Sequence, residues 1–263
     1  MGQVISVMIH KGGVGKSTTA VNLATVLAID HQQRVLLVDA DGQANLTLSL
    51  GLDPANYSQQ GFSSAVLTGT PCDKQHIVPT GIEGLDLLPG SPETYASASE
   101  MERKRMGRDT HIERMLDGVR NEYDLLLMDT PPNLDVLSIN AMVASDGILL
   151  IFNTGLFATN ALGEFLSTLD QLRENRLDHH GVRIIGGVHN RYQPSRTKGN
   201  GITADLLADQ NEFTVFSQRI HETSAISNAQ DEGKPIRIAQ PGHRATAQFQ
   251  LLAKEFEQCL QIA

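Results

Sequence analysis

Two lysines and three glycines stand within six residues near the start of the chain, Lys11-Gly12-Gly13-Val14-Gly15-Lys16, followed by the hydroxyls of Ser17, Thr18 and Thr19. A glycine-rich turn exposes successive backbone N–H groups that can cradle phosphate oxygens. A helix starting near Lys16 aims its positive end at the same anion. Lys16 is then placed to reach the β- and γ-phosphates, and the Ser17 hydroxyl to ligate Mg²⁺. Gly12, Gly13, Val14, Gly15, Lys16, Ser17 and Thr18 are the expected nucleotide-binding residues. The common spacing G-x-x-x-x-G-K-[ST] is not met, because its first glycine would fall at His10. The stretch instead reads K-G-G-x-G-K-[ST]. Lys11 precedes the cradle and is expected to point away from its own phosphates, as suits a charge delivered to a nucleotide shared across a dimer.

Three acids stand where strands should end. Leu36-Leu37-Val38-Asp39-Ala40-Asp41-Gly42 closes one apolar run, and Leu125-Leu126-Leu127-Met128-Asp129-Thr130-Pro131-Pro132 closes another. Phosphoryl transfer to water needs charge neutralisation and an in-line nucleophile. Mg²⁺ takes oxygen ligands and retains several waters. The expected division of labour has Ser17 on the metal, Asp39 and Asp129 holding its waters, and Asp41 orienting the attacking water. Lys11, Lys16 and Asp41 form the expected catalytic set. Asn190, after the run Arg183–Val188, offers both a donor and an acceptor to an adenine edge.

These residues need a scaffold that brings strand ends together. Apolar runs are expected as strands at Val4–Ile9, Arg34–Val38, Leu85–Leu88, Tyr123–Met128, Gly147–Phe152, Arg183–Val188 and Phe213–Phe216. Helices are expected at Ser17–Ile29, Pro92–Met106, Thr110–Arg120, Val136–Ala144, Ala158–Arg173, Thr203–Asp209 and Ala245–Ile262. Near-continuous Val/Ile/Leu runs mark strands covered on both faces. Alternating strand and helix gives an α/β fold with a doubly wound, mostly parallel sheet, here of P-loop NTPase type. Ligands in such sheets bind beyond the carboxyl ends of the strands. Asp53–Thr80 reads as an irregular insertion with a short helix at Ser63–Leu67. No linker divides the chain, so one domain over 1–263 is expected.

Twenty-one Lys and Arg stand against thirty Asp and Glu, a net charge of −9. That balance argues against a globally basic nucleic-acid binder but not against a local patch. The densest basic run, Arg103, Lys104, Arg105 and Arg108, is diluted by Glu100, Glu102 and Asp109 and reads as a solvated face. Cys72 and Cys259 show no metal spacing, which fits a reduced cytoplasmic setting and speaks against a shared iron–sulfur cluster. No membrane span, no signal peptide and no helix-turn-helix ahead of the first strand are expected. In the last helix, Phe249, Leu252, Phe256 and Leu260 share a face suited to docking on the core. A membrane-surface helix would carry more Lys and Arg than Lys254 supplies.

Taken together, Lys11–Thr18, Asp39–Asn45, Leu125–Pro132 and Glu232-Gly233-Lys234-Pro235-Ile236 resemble the ParA-type ATPases, of the deviant Walker-A (MinD/ParA) class. The resemblance runs nearly the full length. It implies ATP and Mg²⁺ as cofactors and a homodimer sandwiching two ATP molecules, with Lys11 reaching the opposite nucleotide. It further implies slow hydrolysis activated by Asp41, nucleoid association through nonspecific DNA, and a ParB-like or adaptor protein that stimulates turnover to move plasmids, chromosomes or other cargo.

One stretch departs from the pattern. Where ParA-type proteins resemble I-P-R-x-x-R-L-S-E-A, this chain has Ile220-His221-Glu222-Thr223-Ser224-Ala225 and onward, so two DNA-facing arginines give way to Glu222 and Ala225. Arg191, Arg196, Lys198, Arg219 and Arg237 are the expected replacements, because electrostatic binding needs several phosphate contacts rather than fixed positions. Competing readings are a MinD-like membrane-cycling ATPase, an iron-protein-like reductase, and regulators of secretion, cellulose export or conjugation built on the same switch.

Overall fold

The computed structural model describes residues 1–103, 109–175, 182–209 and 211–261. Seven strands form one sheet among them: β1 (Gln3–Met8), β2 (Val35–Asp39), β3 (Val78–Ile82), β4 (Leu85–Leu88), β5 (Leu125–Asp129), β6 (Gly147–Phe152) and β7 (Arg183–His189). Their order is β3-β4-β2-β5-β1-β6-β7, and all neighbours are parallel except β3 with β4. Every residue of β2, β5 and β6 is buried, as the unbroken apolar runs require of strands covered on both faces.

The helices are α1 (Lys16–His31), α2 (Asn45–Leu48), α3 (Gly61–Thr68), α4 (Thr94–Arg103), α5 (His111–Asp117), α6 (Val136–Ala144), α7 (Leu156–Asn175), α8 (Thr197–Asp209), α9 (Ser224–Asp231), α10 (Ile236–Ala239) and α11 (Arg244–Gln261). They cover both faces of the sheet, as the doubly wound reading requires. Helix α1 packs on β1, β2 and β5 and carries α11 on its other side. Phe249, Leu252 and Phe256 of α11 are fully buried in that contact, and Leu260 packs at its margin. Each such side chain contributes about 1.5–3 kcal/mol of transfer free energy. The last helix therefore docks on the core. His31 and Gln33 tie it down through Glu257 at 2.7 and 2.6 Å.

Two strand assignments change. Val78–Ile82, expected within an irregular insertion, is the edge strand β3 and turns back onto β4 through Glu83 and Gly84 (φ +76°). Pro79 and Gly81 hid it, and both are tolerated because an edge strand need not supply every ladder donor. Conversely, Phe213–Phe216 is not a strand. It makes one parallel bridge, Val215 to Gly187. The Phe216 and Phe213 rings occupy the space that side chains at Gly186 and Gly187 would take, so the segment anchors on β7 without extending the sheet.

Helix α8 starts six residues before the expected Thr203, and α2, α9 and α10 are additional short helices. The basic run at Lys104, Arg105 and Arg108 lies outside the described residues, as do the predicted helix ends at Met106 and Ile262.

The chain leaves β1 toward β2 and later returns to place β5 and β6 on either side of β1. This reversal leaves a crevice at the carboxyl ends of β1, β2 and β5. In register, Val7 of β1 pairs with Asp129 of β5, and Asp129 pairs with Asp39 of β2.

Candidate functional site at the ends of β1, β2 and β5

The phosphate loop follows β1. Gly13 (φ +74°) and Gly15 (φ +91°) take left-handed conformations that L side chains rarely adopt, and Gly15 caps the N-terminus of α1. Beyond this loop lies a cleft of about 510 Å³, lined by Gly12, Gly13, Gly15, Lys16, Ser17, Thr18 and Asp41 together with Gln43, Pro132 and Arg191. That volume suits a small-molecule ligand such as a nucleotide. Lys16 is buried, and its Nζ donates to the Lys11 carbonyl at 3.4 Å. Burial lowers its pKa, while the charges of Asp129 and Asp41 raise it. A buried ammonium at a cradle of backbone N–H groups suits an anionic ligand. Val14 differs from its neighbours: its side chain is buried in the core.

Lys11 is turned away from its own loop. Its Nζ donates to Asn153 Oδ1 at 3.0 Å, at the end of β6. His10 Nδ1 and Glu164 Oε2 of α7 pair at 2.8 Å on the same side.

The three acids differ in their surroundings. Asp39 is fully buried, and its Oδ2 accepts from the Thr47 N–H (2.8 Å) and hydroxyl (2.6 Å). Burial pushes its carboxyl up to about 7 against the pull of those bonds. Asp129 is equally buried, yet neither of its oxygens makes a hydrogen bond among the described residues. Burial and the neighbouring Asp39 push it up to about 8, against the Lys16 ammonium and the nearby Ser17 hydroxyl. A buried carboxylate without a partner costs several kcal/mol unless a cation meets it, on the order of the penalty for an unpaired buried ion. One free carboxylate beside a serine hydroxyl and a phosphate cradle is the oxygen set that suits Mg²⁺. Of the two acids expected to hold the metal's waters, Asp39 gives its Oδ2 to Thr47 and accepts at Oδ1 from the Asp41 N–H at 3.4 Å, while Asp129 has no such partner among the described residues.

Asp41 lines the cleft from a tight turn. Its carbonyl accepts from Ala44 N at 2.9 Å, and its Oδ1 accepts from Gln43 N at 3.0 Å. Ala44 closes the turn at φ +51°, a strained value for a residue with a side chain. Burial raises the Asp41 pKa first, with the Gln43 N–H and Lys16 opposing.

Asn190 was expected at an adenine edge. In the structure it is buried, and its Nδ2 donates to the Val14 carbonyl at 2.8 Å, so it props the phosphate loop from beneath. Its remaining surface joins Thr18, Arg191, His221 and Glu222 around a smaller cleft of about 40 Å³ that adjoins the first. Arg191 (φ +51°) borders both clefts.

Among the other basic candidates, Arg196 and Lys198 are exposed, and the exposed Arg219 lies over the Tyr192 ring at 4.6 Å. Arg237 is not free: it holds Asp30 through Nη2 at 2.7 Å and Nε at 3.1 Å. That pair is a correction to the expected set, because a guanidinium committed to a carboxylate has little charge left for DNA.

Three residues of the site were not anticipated. Thr47 grips Asp39 from a helix of four residues too short to show a period. Gln230 of α9 donates to Thr18 Oγ1 at 3.0 Å and to Ser49 Oγ at 3.2 Å, joining the phosphate loop to two other elements. Tyr95, from α4, lies against the Asp41 turn. Gln230 and Tyr95 come from remote stretches, and Thr47, though only eight residues from Asp39, sits on a helix too short to signal itself.

Among the described residues no group of three or more His, Cys, Asp or Glu gathers to hold a metal, and no helix is long and apolar enough to cross a membrane. Cys72 and Cys259 are free thiols.

A family model described as an AAA domain matches residues 2–180. The sporulation initiation inhibitor protein Soj of Bacillus subtilis is 32% identical over 255 residues, covering 97% of this chain and 98% of that protein. A ParA family protein of Chlamydia trachomatis is 32% identical over 256 residues, covering 96% of each. Among solved structures, the septum site-determining protein MinD of Pyrococcus horikoshii, complexed with Mg-ADP, superposes with a TM-score of 0.78 at 24% identity, covering 100% of this chain and 98% of that one. With its strand-end acids and its deviant phosphate loop in place, the chain belongs to the ParA family of P-loop ATPases.

Proposed function

We propose that this chain is an ATP-driven switch that dimerises with ATP, binds nonspecific DNA in that form, and hydrolyses ATP slowly under the control of a partner protein. The observation that carries the ATPase part is the unpartnered Asp129 carboxylate beside Ser17 and the phosphate loop. Relatives and neighbours support the same reading, since the MinD structure is named as a complex with Mg-ADP.

In this reading the loop N–H groups and the N-terminus of α1 hold the phosphates, and Lys16 turns from the Lys11 carbonyl to the β- and γ-phosphates. Ser17, Asp39 and Asp129 would hold Mg²⁺, which would supply charge neutralisation at those phosphates. Asp41 orients the attacking water from the cleft wall. Lys11 leaves Asn153 and reaches the nucleotide of a second copy. The small cleft of Thr18, Asn190 and Arg191 takes the base side of the nucleotide. DNA meets Arg196, Lys198 and Arg219, which are exposed after β7, with Arg191 nearby. Cargo moves because the partner triggers hydrolysis and releases the dimer. Among the described residues the last helix, α11, is docked on the core, which favours DNA over a membrane as the track.

The test is Asp41→Ala. It is expected to keep ATP binding and ATP-dependent dimerisation, measured by sedimentation, while losing hydrolysis. Turnover at the original rate would place water orientation elsewhere.

A further inference from the structure

We propose that Tyr95 is a positioning residue for hydrolysis, its hydroxyl holding the Asp41 carboxylate at the angle from which it orients the attacking water. The inference rests on the reading of Asp41 given above.

Asp41 Oδ1 has one partner within its own turn, the Gln43 N–H at 3.0 Å. A second approaches from a different part of the chain. Tyr95, in the first turn of α4, brings its Oη to 3.5 Å from the same Oδ1. The proton direction follows from the third member. Gln43 Nε2 donates to Tyr95 Oη at 2.8 Å, so a lone pair of the phenol is engaged and its own proton is left to donate to Asp41. The Gln43 backbone and side chain and the Tyr95 hydroxyl thus close a ring of contacts around one carboxylate oxygen. The distance of 3.5 Å is at the long end for a hydrogen bond, as is common for such contacts before substrate binds.

The ring of Tyr95 adds a second constraint. A Cβ built on Gly42 would meet three atoms of that ring at 2.5, 2.6 and 2.8 Å. Gly42 is not among the glycines with positive φ, so its backbone does not demand glycine. The missing side chain is explained by the ring lying against the turn. Tyr95 is nevertheless 45% exposed, and the face that α4 buries carries Thr94, Ser97 and Met101 instead. Its contacts serve the Asp41 turn rather than the core. Nor does it line the phosphate cleft.

A positioning role of this kind affects the chemical step and not binding. A catalytic group misplaced by about 1 Å can lose up to about a hundredfold in rate, and one neutral hydrogen bond is worth about fivefold. Tyr95→Phe removes the donor and keeps the ring.

The experiment compares wild type, Tyr95→Phe and Asp41→Ala. It measures single-turnover hydrolysis of radiolabelled ATP with protein in excess, binding of a fluorescent ATP analogue, ATP-dependent dimerisation and the melting temperature. Tyr95→Phe is expected to hydrolyse about fivefold more slowly, while affinity, dimerisation and melting stay as in wild type. Wild-type hydrolysis in Tyr95→Phe, with Asp41→Ala inactive, would overturn the role of Tyr95 and leave that of Asp41 standing. A parallel loss of affinity, dimerisation or melting temperature would overturn it too, by making Tyr95 a structural residue. Wild-type hydrolysis in Asp41→Ala would overturn the reading of Asp41 and, with it, this inference. In Gly42→Ala, where the added methyl displaces the ring, hydrolysis is expected to fall at least as far as in Tyr95→Phe.

Discussion

Asp39 and Asp129 face each other across paired positions of β2 and β5, yet Thr47 holds Oδ2 of Asp39 with two hydrogen bonds while neither Asp129 oxygen is so held among the described residues. Burial raises both pKa values, and the charge of Asp39 raises that of Asp129 further. The asymmetry is what a cation site needs: one acid is pinned, and its neighbour is left open toward Ser17.

Asp129→Asn should therefore separate folding from metal use. The change removes a buried acid whose charged form burial and Asp39 disfavour, so the melting temperature without nucleotide should hold or rise. The dependence of ATP affinity on Mg²⁺, measured by titration with and without a chelator, should disappear. An unchanged Mg²⁺ dependence would move the metal away from Asp129.

Lys16→Ala removes the buried ammonium that the proposed function brings to the phosphates. A charge-assisted bond of about 3 kcal/mol corresponds to roughly a hundredfold in affinity. ATP binding by calorimetry should weaken by at least that order. Unchanged affinity would show that the loop does not hold the phosphates.

His189 gives the fold a pH dependence of its own. Its imidazole is buried beside Phe152 and Tyr192 and donates from Nε2 to Thr154 Oγ1 at 2.9 Å, since the Thr154 proton goes to Asn200 Oδ1 at 2.8 Å. Burial, and then the Arg219 charge, lower its pKa from 6.5 to about 4. In that window the unfolded chain binds a proton that the folded chain refuses. This group's contribution to stability is thus constant above pH 6.5 and is lost as pH falls toward 4, by at most about 1.4 kcal/mol per unit. Denaturant melts from pH 7.5 to 4.5 should show that slope in wild type and a shallower one in His189→Asn. Identical slopes would place the titration in other groups.

Much of this arrangement was legible in the sequence because its signals are local. The buried runs of β1, β2, β5 and β6 are continuous, and their carboxyl ends carry the loop and the acids within a few residues. Gly13 and Gly15 announce a left-handed backbone by type alone. What stayed hidden depends on distant partners. Tyr95 acts on Asp41 from α4, 54 residues on, and Thr47 acts on Asp39 from a four-residue helix that shows no period. Arg237 counted as a free cation until Asp30, far away in sequence, proved to hold it. Asn190 was legible as a donor and acceptor beside the site, but its Nδ2 bond to the Val14 carbonyl was not. Strand β3 escaped notice because edge position excuses the Pro and Gly that normally argue against a strand.

The central claim is that ATP switches this protein onto DNA although Glu222 and Ala225 stand where arginines are usual in the resembling sequences. It is tested most directly by binding of Asp41→Ala, which holds the ATP state, to a nonspecific duplex with ATP, ADP or no nucleotide at two salt concentrations. Binding is expected only with ATP. It should weaken with salt as phosphate contacts release counterions, with a slope reduced by about one for each of Arg196→Ala and Lys198→Ala. An ATP-bound dimer that shows no DNA binding at either salt concentration would contradict the claim and mean that the switch runs on some other track.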